Sequence, residues 1–403
     1  MRFACAIALT VAAAGCASHQ PATAPVPLQP DTAAHRDSVR DRESGRTGYA
    51  QPAPYDPRKH GPRRFYTGKN YGSELEFNPI TELLNEGFDV LSLEHSDRHV
   101  FDRPYGTDAA NVFRSVFIHP VQSVNEYGWG NFFRAEILPT SFARSRTSGK
   151  WISNYQLHLL GSGMVSLRMT DWYELHGFDH AALLGQATTM AAHFLNEMSE
   201  NGGSKSLNED PVADILLFDV AGFALWHQHK IQRALSGQYH LTNWPGQPTY
   251  DPVTRTVQNT GQYFVLRGPL PVVRSWDFFY MFGMSGAAGV SKTIGKGRAL
   301  SLGMGLDGVP AVPGTDSTPG VKSKLLPKGT LYYDRNGSLL WSLAVNNYTD
   351  ANRVALNVYP GLFRVHGFTT GLWTQLPTAG GIRFGIVSQY GVGLGGMSRS
   401  TAP

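Results

Sequence analysis

The fold is decided by residues 178–235, which read FDHAALLGQATTMAAHFLNEMSENGGSKSLNEDPVADILLFDVAGFALWHQHKIQRAL. Two apolar segments flank a polar turn at residues 201–211. Along the first segment, apolar residues recur at the three- and four-residue spacing of a helix face. These residues are Leu183, Ala187, Met190, Phe194 and Met198. The stretch therefore predicts two helices joined by a turn.

The second segment, residues 214–229, is apolar nearly all the way round and still contains Asp214 and Asp219. A helix without a polar face must be buried in protein or in lipid. Carboxylates on such a helix must be paired, hydrogen-bonded or neutral, because an isolated buried charge is very costly. The sequence therefore predicts acidic side chains that are withdrawn from water.

Three polar residues of this stretch are candidates for catalysis. His193 and Glu197 stand four residues apart on one side of the predicted helix, and they could share a proton or a metal ion with Asp214 or Asp219 of the next helix. The alternative is a satisfied polar network that fixes how the helices pack. We expect such a network to include Gln186, His158, His180 and Asp219. Since the sequence has no HExxH motif and no phosphate-binding loop, no cofactor or metal is assigned from it.

Residues 1–16 have the pattern of an export signal, with an apolar core too short to span a bilayer. The run Ala13-Ala14-Gly15-Cys16 resembles the lipobox of bacterial lipoproteins, which implies cleavage before Cys16 and lipidation of that residue. The alternative is an ordinary secretory signal in which Cys16 is incidental. Because the next residue is Ala17 rather than Asp, we expect the outer membrane as the destination.

The two cysteines of the chain, Cys5 and Cys16, both lie in this segment. The mature chain is therefore expected to have no disulfide, no cysteine-based zinc site and no cysteine nucleophile. Residues 17–64 are rich in Pro, Ala, Gln and Arg, with almost no apolar periodicity, and predict a disordered tether.

The composition argues against a nucleic-acid partner. Charged residues make up 16% of the chain, against about 25% in soluble domains. The net charge of +4 is too small and too scattered for nucleic-acid binding. Low charge and 44 glycines suit a protein partly solvated by membrane, and they also suit a glycine-rich soluble sheet. We predict membrane lipid as a partner and leave protein partners open.

Residues 65–240 are predicted to be helical. Asn78-Pro79 opens one short helix, Thr107-Asp108 opens another, and residues 151–169 form a third apolar segment. None of the apolar runs reaches the roughly 20 residues that a spanning helix needs. We therefore expect a compact helical bundle at or inside the outer membrane.

Residues 260–396 change to the two-residue period of β-strands. Large apolar residues alternate with small or polar ones, most clearly in residues 299–306 and 382–394. Hairpin turns are predicted at Gly295-Lys296-Gly297 and at Asn336-Gly337. The pattern predicts about eight antiparallel strands.

Two architectures within an α+β fold produce this alternation. One is a closed outer-membrane β-barrel of about eight strands, associated with the helices, with lipid outside and a lumen inside. The other is a soluble antiparallel sheet packed over the helices. The ending Ser-Thr-Ala-Pro argues against the barrel, because such proteins commonly end in an aromatic residue. We favour the barrel on the length of the strands.

Several short motifs follow one another in the helical region. They are His119-Pro120, Asn196-Glu197 at the end of a helix of small residues, Ser206, Asp210-Pro211, Asp214, and an apolar helix with Gly222. This order resembles uncharacterised bacterial outer-membrane and envelope lipoprotein families of unknown function. The resemblance implies that Glu197 and Asp214 are positions of interest, and it brings no chemistry with it.

We therefore predict a lipid-anchored outer-membrane protein that faces the periplasm and has a structural, assembly or transport role. The alternative is an envelope hydrolase that acts on lipid or cell wall through His193, Glu197 and Asp214. The sequence leaves open whether the chain is an enzyme.

Overall fold

The computed structural model describes residues 65–93, 100–140, 149–204, 206–271, 273, 275–310, 323–346, 352–363, 368–378, 380–389 and 391–398. Helices come first and a 13-stranded sheet follows, so the predicted α+β class is confirmed. The predicted export signal, the lipidation site Cys16 and the tether lie outside the described residues.

Several of the helices pass from α-helical into π-helical geometry. They are α1 (Pro79–Gly87), α2 (Tyr105–Phe113, continued by π-helical Arg114–Ile118), α3 (Pro120–Tyr127), α4 (Trp129–Phe132, continued by π-helical Phe133–Ile137), α5 (Trp151–Ser153, π-helical Asn154–Ser162 and Gly163–Leu175), α6 (Ala181–Asn201), α7 (π-helical Val212–Asp219 and Val220–Trp226) and α8 (His229–Arg233, continued by π-helical Ala234–Gln238). Single 3₁₀ turns occupy Gly72–Glu74 and Asp89–Leu93.

Helix α1 begins where the sequence predicts and buries its polar face. The side chain of Asn78 caps it by accepting hydrogen bonds from the backbone N–H groups of Ile80 and Thr81. Glu82 and Glu86 are buried, whereas Ile80 is 61% exposed. Buried carboxyl groups on α1 require polar partners from the elements around it.

The π-helical segments of α5 and α7 carry three of the seven polar residues that the sequence assigns to the site or to the buried network. Asn154–Ser162 contains His158, and Val212–Asp219 contains Asp214 and Asp219. A π-helical turn holds more residues than an α-helical turn, and such turns are frequent at functional sites. The side chains therefore leave the 3.6-residue period on which a sequence prediction of helix faces depends.

The strands follow the helices along the chain. They are β1 (Thr242–Asn243), β2 (Thr249–Asp251), β3 (Thr256–Gln258), β4 (Tyr263–Pro269), β5 (Asp277–Gly283), β6 (Ser285–Gly295), β7 (Arg298–Pro310), β8 (Ser323–Arg335), β9 (Ser338–Val345), β10 (Asn352–Val358), β11 (Thr370–Pro377), β12 (Ile382–Ser388) and β13 (Gly393–Ser398). In space their order is β1-β4-β5-β6-β7-β8-β9-β10-β11-β12-β13-β2-β3. Neighbours from β4 to β13 pair antiparallel, and β13 pairs parallel with β2.

The sheet curls strongly. Arg267 on β4 forms a two-pronged ion pair with Asp334 on β8, with N–O distances of 2.7 and 3.1 Å. In a flat sheet these two strands would be about 19 Å apart. The contact therefore requires the sheet to bend round on itself. The curl also closes an interior core formed by Trp244, Val265, Phe279, Met281, Ala287, Tyr332, Leu339 and Tyr359.

The strand order nevertheless ends at β1 on one side and at β3 on the other, so the predicted closed barrel is not supported. Both ends of the order come from one part of the chain. The start of segment 242–251 pairs with β4, and the end of the same segment pairs with β13. The sheet stays open because segment 242–251 does not pair along its whole length with both β4 and β13. It pairs with β4 at its start and with β13 at its end.

Two further predictions about the strands are corrected. The count of about eight is too low, in part because β1, β2 and β3 have only two or three residues each and show no readable alternation. Residues 382–394 do not form one continuous strand, since they divide into β12 and the start of β13 around a turn, but Ile386 and Leu394 pair across these strands on one exposed face. The hairpin turns predicted at residues 295–297 and 336–337 are confirmed.

The outer face of the curled sheet carries large apolar side chains that are exposed. On β7, Leu302 and Met304 are 59% and 78% exposed, whereas Ser301 and Gly303 between them are buried. The alternation predicted for this strand is therefore confirmed. The same pattern continues on later strands, with exposed side chains at Leu372, Phe384, Ile386 and Leu394.

The helices pack against the outer face of β4 and β5. Trp226 and Met164 lie in one buried cluster with Phe264 and Phe282. Gly163 permits this packing, because a Cβ atom there would lie 1.9 Å from Cδ1 of Trp226. In the part of the chain that the structure describes, no helix has both the length and the apolar composition to cross a membrane.

Candidate functional site

A cluster of imidazole and carboxyl groups lies buried where three helices meet. His158 comes from the π-helical part of α5, and His193 and Glu197 come from α6. Asp214 and Asp219 come from the π-helical part of α7. The sequence prediction that these acidic groups are withdrawn from water is confirmed, because each of the three carboxyl-bearing residues is buried.

Helices α5 and α7 approach each other closely at Gly222. A Cβ atom at this position would lie 2.8 Å from the carbonyl oxygens of His158 and Leu159. The missing side chain lets the two π-helical segments run side by side. The imidazole of His158 can therefore face both carboxyl groups of α7.

His193 is held between two carboxyl groups. Its Nδ1 lies 2.7 Å from Oδ2 of Asp219, and its Nε2 lies 2.5 Å from Oε1 of Glu86. Burial by itself lowers the pKa of His193, but these two carboxylates raise it well above its ordinary value. Burial by itself raises the pKa of Asp219, but the imidazoles of His193 and His158 bring it below its ordinary value. His193 therefore provides one positive charge between two carboxyl groups.

His158 forms a hydrogen bond through one of its two ring nitrogens. Its Nδ1 lies 3.1 Å from Oδ1 of Asp219, and its Nε2 lies 3.5 Å from Oδ2 of Asp214. The second distance is long for a hydrogen bond. The ring meets that of His193 edge-on, with centroids 4.7 Å apart. Nε2 of His158 therefore faces a second set of acidic side chains, which includes Asp214.

The second group is Glu197 and Asp214, which are 1% and 7% exposed. A hydrogen bond joins their carboxyl groups, and Asn201 donates to Oε2 of Glu197 at 2.7 Å. Burial raises the pKa of both carboxyl groups well above their ordinary values, and the charge of Asp210 adds to this. Oδ1 of Asp214 is buried without a hydrogen-bond partner. The pair has no lysine or arginine partner among the described residues, and burial favours the protonated form of both groups.

Lys150 compensates the carboxylates at the outer end of the cluster. Its Nζ lies 2.9 Å from Asp210, 3.1 Å from Glu136 and 3.5 Å from Glu209. Burial and the charge of Asp210 together raise the pKa of Glu136 to about 7. Among the described residues, no lysine or arginine forms an ion pair with the inner carboxyl pair.

Two groups of three side chains place their ligand atoms within 4.8 Å of one another, as a metal site requires. One is His158 with His193 and Asp219, and the other is His158 with Glu197 and Asp214. In the first group, both ring nitrogens of His193 already face carboxylates. In the second group, Oδ1 of Asp214 has no partner. The second group is the better candidate to hold a metal ion.

The structure brings together the three residues that the sequence marks as catalytic candidates, His193, Glu197 and Asp214. It joins to them two members of the predicted polar network, His158 and Asp219. The predicted catalytic residues and part of the predicted polar network therefore belong to one cluster.

Gln186 and His180 do not belong to this cluster, and their assignment to a buried network is corrected. His180 is exposed and has a φ of 56°, because it is the capping residue before α6 begins. Gln186 is half-buried two helical turns before His193, and no hydrogen bond among the described residues joins it to the cluster. Helical spacing predicts the side of α6 on which a residue lies, but it does not predict which other element packs against that side.

The sequence prediction misses Glu86. Helix α1 has apolar residues on one face, and that face is normally the buried one. Here the opposite face is buried, with Glu82, Asn85 and Glu86 at helical spacing. That spacing of three polar residues is the signal that could have identified Glu86.

A second polar feature lies inside the curled sheet. A cavity of about 140 Å³ is bordered by Lys328, whose Nζ lies 2.7 Å from Oγ of Ser285 and 3.3 Å from Oδ1 of Asp307. Further polar side chains on its wall are Asn259, Asn346, Asn357 and Gln375. A polar cavity of this size holds several water molecules.

Comparisons with protein-family models, with curated proteins and with solved structures find no match. The resemblance to envelope lipoprotein families therefore stays a prediction.

Proposed function

We propose that this chain is a lipid-anchored protein of the bacterial outer membrane, in which the curled sheet presents its outer face to lipid and the helices face the periplasm. The observation that carries the proposal is the exposed apolar outer face of the sheet. Among the structural, assembly and transport roles that the sequence allows, the polar interior cavity favours transport of a small polar solute.

The outer face has the reverse arrangement of a water-soluble sheet. In water, large apolar side chains pack into the core and small or polar ones face the solvent. On β7, Ser301 and Gly303 face the interior and large apolar side chains face outward, while β4, β5 and β8 add Val265, Phe279 and Tyr332 to the apolar interior core beside the polar cavity. The outer side chains are Tyr280, Leu300, Leu302, Met304, Leu306, Leu372, Phe384, Ile386 and Leu394. An apolar surface that continues over several strands supports contact with lipid acyl chains.

The longest strands have the length that a bilayer requires. β7 and β8 contain 13 residues each. At about 3.3 Å per residue and a tilt of about 45°, such a strand spans roughly 30 Å, the thickness of a hydrocarbon core. Lipid does not tolerate unpaired backbone groups. We therefore propose that segment 242–251, which pairs with β4 and with β13, completes the backbone hydrogen bonding of the sheet in the bilayer.

The test compares two substitutions of an exposed apolar residue by arginine. Met304→Arg places a charge on the proposed lipid face and should lower the free energy of unfolding by about 2–4 kcal/mol in phospholipid vesicles. Val253→Arg is the matched control, because Val253 is 88% exposed in the turn between β2 and β3 and should change little. Denaturant titration followed by tryptophan fluorescence measures both.

The proposal also predicts that the sheet holds the protein in the membrane without the lipid anchor. Cys16→Ser removes the proposed lipidation site, yet the variant should stay in the outer-membrane fraction, because the sheet itself is held by lipid. The proposal fails if this variant is recovered as a dissolved monomer without detergent, or if Met304→Arg and Val253→Arg have equal effects.

The alternative of an envelope hydrolase has less support. Its proposed residues His193, Glu197 and Asp214 are all buried. A polymer or a lipid cannot reach side chains in that position without a movement of the helices. The burial of these groups suits an ion or a proton better than a large substrate.

A further inference from the structure

We propose that His158, Glu197 and Asp214 form a binding site for a single divalent transition-metal ion of the zinc class. The site goes beyond the proposed membrane function and does not depend on it. It lies in the helices α5, α6 and α7, away from the outer face of β7 to β13.

The separation of the ligand atoms suits a metal ion better than a hydrogen bond. Nε2 of His158 and Oδ2 of Asp214 are 3.5 Å apart. Two ligand atoms that each lie about 2.1 Å from a tetrahedral zinc ion are roughly 3.4 Å apart. A ligand oxygen of Glu197 lies within 4.8 Å of both partners, so a small side-chain rotation brings it into place.

Asp219 provides the support that a metal-bound histidine normally has. Its Oδ1 lies 3.1 Å from Nδ1 of His158 and leaves Nε2 as the free nitrogen. A histidine that binds a metal almost always gives its other N–H to a carboxylate or carbonyl group. Asp219 is fixed in turn by His193, at 2.7 Å. The carboxylate–histidine part of the site is thus already assembled.

The carboxyl group of Asp214 also carries a buried atom without a hydrogen-bond partner. Oδ1 of Asp214 is buried and accepts no hydrogen bond. Its neighbour Glu197 shares a hydrogen bond with Asp214 and receives another from Asn201 at 2.7 Å. In the described part of the chain, His158 is the sole basic side chain that forms an ion pair with either carboxyl group. A divalent cation would neutralise both carboxylates and occupy the unfilled acceptor position.

The ligand types select the class of ion. One imidazole nitrogen and two carboxylates suit zinc, manganese or iron, whereas calcium and magnesium prefer oxygen atoms alone. Three side chains supply three of the four ligands of a tetrahedral zinc ion, and a water molecule would be the fourth, as in zinc sites that keep an open position. We therefore expect Zn²⁺ to bind far more tightly than Ca²⁺.

The test uses the full chain without a polyhistidine tag, stripped with a chelator and titrated with Zn²⁺, Mn²⁺ and Ca²⁺ in separate calorimetric runs. Wild type should bind one Zn²⁺. Asp214→Asn and Glu197→Gln should each weaken Zn²⁺ binding by at least about 10-fold. Glu126→Gln, an exposed residue of α3, is the matched control and should bind like wild type.

Thermal melting separates loss of the metal from loss of the fold. In chelator, both variants should melt at or above the wild-type temperature, because each removes one of two buried carboxyl groups that lack a cation. Added Zn²⁺ should raise the melting temperature of wild type and of Glu126→Gln, and should not raise that of Asp214→Asn or Glu197→Gln.

A measurement on wild type alone covers the case in which a variant does not fold. X-ray absorption of the zinc-loaded protein should show one imidazole, with oxygen atoms as the other ligands and no sulfur. The proposal is overturned if wild type binds no zinc, if Asp214→Asn binds it as tightly as wild type does, or if the spectrum shows sulfur or two imidazoles.

Discussion

At the scale of single residues, Glu74 shows how this protein holds a buried charge when a cation is available. Its Oε2 lies 2.7 Å from Nζ of Lys69, and its Oε1 accepts the backbone N–H of Thr67 at 2.6 Å. Burial by itself would raise the pKa of Glu74, but the charges of Lys69 and Arg168 and these hydrogen bonds bring it to about 2. The inner pair Glu197 and Asp214 has no lysine or arginine partner of this kind among the described residues.

The pH dependence of stability should report on Glu74. Its folded pKa of about 2 lies below the ordinary value of 4.5, so its contribution is present above pH 4.5 and is lost as the pH falls toward 2. We expect Glu74→Gln to lower the free energy of unfolding at pH 6 by about 3 kcal/mol and to have much less effect near pH 2.5.

Melting curves of wild type and variant across this pH range measure the difference. Glu126→Gln, exposed to solvent, should show no such trend. An equal deficit of Glu74→Gln at both pH values would mean that packing, and not the charge, is what the substitution removes.

At the scale of elements, the crossing of α5 and α7 fixes the geometry of the buried cluster. Gly222 lies at this crossing, where a Cβ atom would be 2.8 Å from the carbonyl oxygens of His158 and Leu159. Because these contacts are to backbone atoms, a neighbouring side chain cannot move aside to relieve them. Even a methyl group at residue 222 must push the two helices apart.

Gly222→Ala should therefore destabilise the protein by about 1–3 kcal/mol, the usual range for overpacking. Gly237→Ala is the matched control, since it is also helical and a Cβ atom there meets nothing within 4 Å. Thermal unfolding followed by circular dichroism measures both. A melting temperature of Gly222→Ala equal to wild type would show that the crossing is looser than its distances indicate.

The sequence predicts the elements of this region better than their contacts. The start of α1 at Asn78 and the burial of Asp214 and Asp219 follow from capping residues and from an apolar helix. The prediction misses two features, of which only the second has a signal in the sequence, the helical spacing of Glu82, Asn85 and Glu86. The π-helical turns shift side chains off the expected period, and the inward face of α1, which supplies Glu86, depends on partners far along the chain.

At the scale of the whole molecule, the sequence predicts strand faces but not strand order. Alternation places Leu302 and Met304 on one face, whichever strands lie beside them. The link between β2 and β13 joins residues far apart along the chain and leaves no local pattern. Strand count and closure are therefore the parts of the fold that sequence reasoning gets wrong.

The β2–β13 contact can be tested at Gly393. A Cβ atom there would lie 2.3 Å from the carbonyl oxygen of Ile386 and 2.8 Å from Cγ2 of Thr249. Gly393→Val should therefore push β13 away from both β12 and β2 and make the sheet much more sensitive to protease. Gly329→Val, on β8 with nothing within 4 Å of the added Cβ atom, should remain as resistant as wild type. Equal resistance of the two variants would mean that the contact is not needed.

Segment 242–251, which pairs with β4 at its start and with β13 at its end, has a consequence for the order of assembly. During synthesis β4 follows soon after this segment, whereas β13 is the last described strand to be made. Long-range pairing of this kind is slow, and apolar strands stay exposed until the pairing is complete. We expect the nascent protein to depend on chaperones until its final strand arrives.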